Sequence, residues 1–181
     1  YRAGYLTTTA GQVCIGSYAG ENYSGDRSII IGYQAGQNMD GDDSIFIGYQ
    51  AGKNQADGTG TGNYNVAIGS YAGHTLQIGE KNTFIGGGTG SIGAGSGTSS
   101  GNNNTAIGYL SGAVMNTVNN TFIGCETGRN TIGNLTTQGV SNVFVGTTAG
   151  YTNTYGSYCT SIGHNAGYLS TTANHNVNVG F

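Results

Sequence analysis

A six-residue phrase, Ile/Val-Gly-x-x-Ala/Thr/Ser-Gly, recurs along nearly the whole chain, and that recurrence limits what the chain can fold into. It reads IGSYAG at 15–20, IGYQAG at 31–36 and again at 47–52, IGSYAG at 68–73 and IGGGTG at 85–90. It continues as IGYLSG at 107–112, IGCETG at 123–128, VGTTAG at 145–150 and IGHNAG at 162–167, and a tenth copy, NVNVGF, begins at Asn176. Successive Ile/Val positions lie 16, 16, 21, 17, 22, 16, 22, 17 and 17 residues apart. A fixed period of this size is the mark of a solenoid in which each repeat is one rung stacked on the last. The predicted fold is all-β: a parallel β-solenoid, or β-roll, of about ten rungs of 16–22 residues over 12–181, with 1–11 as a lead-in.

One rung can be read position by position, with the Ile/Val of the phrase as position 0. Position −2 is Val, Ile or Thr in all ten copies, and position 0 is Ile in eight and Val in two. β-Branched residues two apart suit one face of a strand. Position −1 points to the other face, yet it too is apolar in most copies: Ile30, Phe46, Ala67, Phe84, Ala106, Phe122 and Phe144. A strand apolar on both faces is covered on both. One face fills the interior, and the other requires a partner. Ile30, Phe46, Phe84, Phe122 and Phe144, aligned in a stripe, are expected to be that exposed face and to form a contact between chains. The simplest assembly is a homotrimer about the solenoid axis, roughly 50 Å long at ~4.8 Å per rung.

Glycines at +1 and +5 read as corners, with a small residue between them at +4. Position −3 is Asn in six of ten rungs (Asn65, Asn82, Asn104, Asn120, Asn142 and Asn176), and Asn recurs at +7 as Asn22, Asn38, Asn54 and Asn130. Amides stacked in register can form hydrogen-bonded ladders, and Asn also suits turns. The extra residues of the three long rungs, around 55–62, 91–101 and 131–139, all follow the Gly at +5. Insertions at one offset emerge on one edge of a solenoid.

Composition narrows the function classes. Charged residues are 7% of the chain, against ~25% in ordinary globular domains. A formal charge of −3 offers no basic patch for nucleic acid, and no apolar run approaches the ~20 residues of a membrane span. The chain opens at Tyr1 without Met or a secretion signal, so both ends read as cuts in a longer protein or as processed ends. Cys14, Cys125 and Cys159 occupy three different offsets, which is neither a disulfide framework nor a metal site. Asp40, Asp42 and Asp43 in DGDDS lack the spacing of a calcium loop and read as a polar turn. His74, His164 and His175 share no offset. With no nucleophile elbow or Walker loop, no catalytic residue, cofactor or metal is expected.

Tyrosine is placed more regularly. Tyr33, Tyr49 and Tyr109 share offset +2, and Tyr18 and Tyr71 share +3. Such rings can cover a corner against neighbouring rungs, or stack on sugar rings of a host-surface glycan or envelope.

The phrase N-[VT]-x-[IV]-G-x-x-A-G, clearest in NTAIGYLSG at 104–112 and NTFIGCETG at 120–128, resembles the repeats of tailed-bacteriophage tail fibres. It also resembles those in the head domains of trimeric autotransporter adhesins. The resemblance implies a trimeric β-roll in an extracellular fibre, on a virion or a cell surface, that is structural and adhesive and not an enzyme. The uneven rung length departs from those families. Two other expectations stand beside it: a subunit of a self-assembling extracellular filament, and an ice-binding solenoid whose threonine runs at 7–9, 136–137 and 171–172 are out of register.

Overall fold

A computed structural model describes residues 2–5, 10–53, 62–75, 79–90, 101–133 and 137–181. Most of the three insertions (55–61, 91–100 and 134–136), Asn54 and the threonine run at 7–9 lie outside the described residues. The architecture is all-β. Ten three-residue strands are β1 (Val13–Ile15), β2 (Ile29–Ile31), β3 (Ile45–Ile47), β4 (Val66–Ile68), β5 (Thr83–Ile85), β6 (Thr105–Ile107), β7 (Thr121–Ile123), β8 (Val143–Val145), β9 (Thr160–Ile162) and β10 (Val177–Val179). They form one parallel sheet in sequence order, and each step of register equals one repeat, as in Val13↔Ile29 and Thr105↔Thr121. Each strand is therefore positions −2, −1 and 0 of a rung, and the chain is a β-solenoid.

The turns are hydrogen-bonded from rung to rung as the strands are. The N–H at +3 donates to the carbonyl at +2 of the preceding rung, as from Gln50 to Tyr33 and from Glu126 to Tyr109, at 2.9 and 2.8 Å. The N–H at +5 donates forward to the carbonyl at +4, as from Gly52 to Ala72 and from Gly112 to Thr127, both at 2.9 Å. Alternating the direction of these bonds requires alternating the backbone hand. Residues at +3 lie in the left-handed region, with Gln50 at φ 53° and Leu110 at φ 52°, and so do those at −4, such as Arg27 at φ 52° and Asn119 at φ 62°. The glycines at +1 go further, from φ 118° to 138°, a region that side chains other than hydrogen rarely enter.

The interior corrects one expectation. Ile30, Phe46, Phe84, Phe122 and Phe144 point into the coil and are 0–2% exposed, so they are closed off from any neighbouring chain. Space explains the choice of face. Position +4 across the interior is Ala, Ser or Thr and is buried in every described rung from Ala19 to Ala166. Beneath each ring the +5 glycine leaves a seat: a Cβ at Gly52 would stand 2.2 Å from Phe46, and one at Gly150 would stand 2.4 Å from Phe144. Large and small side chains alternate up the −1 column as Phe46, Ala67, Phe84, Ala106 and Phe122, and then Phe122 stacks on Phe144 at 5.2 Å. Tyr23, Met39 and Met115 fill the interior from position +8. A column packed this way makes Phe122→Leu cost about 1–2 kcal/mol of unfolding free energy. Urea denaturation checks it, and no loss at all would put the ring outside.

The polar column at −3 is paired, whereas Asn116 Oδ1, Thr131 Oγ1 and Asn153 Oδ1 are buried without a partner among the described residues. At −3, Asn65, Asn82, Asn104, Asn120 and Asn142 are all buried, and each side-chain oxygen accepts the backbone N–H of the next residue in the column, at 2.8–3.0 Å. Ser28 and Ser44 continue the column towards the N-terminus, their hydroxyl oxygens accepting from the N–H of Ser44 and Asn65.

Candidate functional site: the outward face of the sheet and its borders

With position −1 inside, positions −2 and 0 face outward. Every residue in these two columns is Val, Ile or Thr. Ile15 is 57% exposed, Val143 40% and Ile162 44%. The result is an uncharged stripe, two side chains wide, along the whole sheet. The signal for it was in the sequence, since no other pair of offsets is β-branched in all ten rungs.

Two exposed columns border the stripe. On one side is position +2: Tyr33, Tyr49, Ser70, Gly87, Tyr109, Cys125, Thr147 and His164. On the other is position −4: Arg27, Asp43, Tyr64, Lys81, Asn103, Asn119, Ser141 and Tyr158. The left-handed backbone at −4 turns these side chains out, while the neighbouring −3 residues go in.

Four of the five tyrosines singled out by offset come together. Tyr33 stacks on Tyr49 at 5.5 Å with the rings 9° from parallel, Tyr18 meets Tyr33 edge-on at 6.0 Å, and Tyr71 meets Tyr49 edge-on at 5.2 Å. Tyr71 packs in turn against His74 at 5.4 Å. Tyr33 and Tyr49 thus use ring faces on each other, and the Tyr49 hydroxyl is hydrogen-bonded to that of Tyr71. Tyr109 stands apart, 60% exposed, over the space that a side chain on Gly87 would take. It keeps an open ring.

Two stacked aromatic pairs on the outside are among those that escaped the sequence reading. Tyr151 stacks on Tyr168 at 5.1 Å with the Arg129 guanidinium 5.8 Å from the Tyr151 ring, and Tyr158 stacks on His175 at 5.0 Å. Their shared offsets, +6 and −4, were the signal.

The charged groups serve the coil. Arg27 grips Asp43 with two hydrogen bonds of 2.7 and 2.8 Å, and these hold the Asp43 carboxyl below its usual range. Asp42 accepts the Asp26 N–H at 2.8 Å, and Asp26 accepts the Ala10 N–H at 3.3 Å. The acidic turn is thereby tied rung to rung. Burial, with Lys53 nearby, pushes the His74 imidazole down. Cys14 is half-buried, Cys159 buried and Cys125 exposed on the +2 border. No three His, Cys, Asp or Glu side chains converge among the described residues. No helix among them is long and apolar enough to cross a membrane.

Comparisons with protein-family models, with curated proteins and with solved structures found no match.

What this surface can do follows from its chemistry. A flat apolar face bordered by tyrosines and polar side chains has the anatomy of a protein–protein interface, with an apolar centre and a polar rim. It repeats with the period of the chain itself, one Ile or Val at position 0 on every rung.

Proposed function

We propose that the chain is a non-enzymatic, load-bearing and adhesive segment of an extracellular fibre, such as a virion tail fibre or a bacterial surface adhesin, in which three copies stand side by side. The unbroken outward stripe of Val, Ile and Thr carries this reading. An uncharged face of this length needs a cover. The cover that matches its rung spacing from end to end is another copy of the same coil. The trimer axis then lies against positions −2 and 0. Backbone ladders and the interior Phe column provide stiffness. Tyr18 and Tyr71, one position beyond the +2 border, form the surface offered to a host glycan or envelope, while Tyr33, Tyr49 and Tyr109 stand on the border beside the next chain. Weak contacts of this kind gain strength by repetition along and around a rod.

The test is the native mass by light scattering. A species of three times the 18.4 kDa chain is expected. Ile107→Lys, which sets a charge in the middle of the stripe, is expected to release monomers with unchanged circular dichroism. A wild-type monomer overturns the trimer.

One observation favours a second reading. Thr83, Thr105 and Thr121 stand in register on consecutive rungs of the outward face, a row of hydroxyls suited to ordering water as an ice-binding face does. The rest of that column is Val or Ile apart from Thr160, so the row is short. Absence of thermal hysteresis would dispose of it.

A further inference from the structure

The stripe is narrow. Its two columns are about 7 Å apart, two residues along a strand. Three stripes meeting about one axis therefore bring their borders within side-chain reach. In a ring of parallel copies the contact is heterologous, one border of each chain facing the opposite border of the next. The +2 border thus faces the −4 border.

We infer that these two borders interlock between neighbouring chains at equal height, rung against the same rung, with the +2 column of one chain on the −4 column of the next. This rests on the trimeric reading above and deepens it. A closed three-fold ring of copies parallel to its axis leaves no axial offset between neighbours, so equal rungs meet, and side-chain bulk in the middle rungs fits that pairing. In the fourth and fifth rungs the +2 border thins to Ser70 and Gly87, and there the −4 border presents Tyr64 and Lys81. In the sixth rung the order reverses: Tyr109 stands on the +2 border and the shorter Asn103 on the −4 border. Shifting one chain by a rung in one direction sets Tyr64 on Tyr49 and leaves Asn103 facing Gly87. That crowds one place and empties another. Level pairing fills both, and it gives the exposed Tyr109 ring a wall in the assembly.

Cys125 makes this measurable. It is exposed on the +2 border of the seventh rung, and Asn119 is the −4 residue of that rung. Within one chain six residues passing along β7 hold these positions on the order of 15 Å apart, beyond the ~7 Å between Cα atoms that a disulfide spans. A bridge between residues 119 and 125 must therefore join two chains. Asn119→Cys, treated with diamide in dilute solution, is expected to run mostly as a covalent trimer on a non-reducing denaturing gel. The bands are expected to vanish when Cys125→Ser is added. Asn103→Cys and Ser141→Cys place the thiol one rung below and above, and neither is expected to cross-link. Cross-linking through either of those two instead would overturn the level register. If none of the three links while light scattering still finds a trimer, the border contact fails and the trimer stands. If the native mass is that of a monomer, both fall.

Discussion

Replacing Gly108 by alanine is expected to cost about 4 kcal/mol or more, the sum of a backbone conformation denied to alanine and a clash with the next rung. Gly108 sits at φ 129° at the corner that follows β6. A Cβ there would lie 2.3 Å from the Gly124 carbonyl oxygen and 2.7 Å from its carbon. Both atoms are backbone, and Gly124 is itself held by its N–H bond to Ile107 at 2.8 Å. Neither can move aside without opening the ladder. Gly87 provides the comparison, since a Cβ on it meets Tyr109 ring carbons only at 3.5 and 3.8 Å. Gly87→Ala is expected to stay within about 0.5 kcal/mol of the parent. Each rung touches only its neighbours, so the damage at Gly108 should concentrate around the sixth and seventh rungs. Urea denaturation followed by tyrosine fluorescence reads both variants. Equal losses would mean that the stacking of corner glycines does not set the rung spacing.

These two glycines also show what was legible in the sequence. The period, the ten strands at −2 to 0 and the +1 corners were all readable, because backbone requirements recur at fixed offsets whatever the side chains do. The face assignment was not. Alternation along a strand tells which residues share a face, but Phe46 at −1 and Ile47 at 0 are both apolar, so hydrophobicity cannot say which is inside. What decides is three-dimensional bulk. The Phe46 ring needs the absent side chain of Gly52 and the small Ala51 beside it, and only the interior offers both. The pairing of a large −1 with a small +4 was the available signal. The tyrosine row was half legible for a related reason. Tyr33 and Tyr49 share an offset, but Tyr71 joins them from +3 only because its left-handed backbone, at φ 59°, swings the ring across. The Asn column, by contrast, was readable as a ladder, one of the two roles its recurrence allowed, since amides at one offset of a solenoid stack in register; that they lie inside the coil was not readable.

That ladder makes a second large expectation specific. Asn104 is buried and central. Its amide nitrogen donates to Asn82 Oδ1 at 3.2 Å and to the Thr117 carbonyl at 2.8 Å, and its oxygen accepts the Asn120 backbone N–H at 3.0 Å. Leucine has nearly the same volume and none of these groups. Asn104→Leu strands the Asn120 N–H and the Thr117 carbonyl away from water, at about 1–3 kcal/mol each. A loss of about 3–5 kcal/mol is expected. Serine should do much better, because the column already uses it: Ser28 accepts the Ser44 N–H at 3.1 Å, and Ser44 accepts that of Asn65 at 3.2 Å. In Asn104→Ser the hydroxyl oxygen takes over the bond from Asn120 and only the Thr117 carbonyl loses its donor, for a loss of about 1–2 kcal/mol. The ranking is the test, because burying more apolar surface favours leucine and satisfying the backbone favours serine. If urea denaturation finds the leucine variant as stable as the serine one, the column is held by packing and not by its amides. If serine wins by the expected margin, the ladder passes along the coil the register that the outward stripe displays.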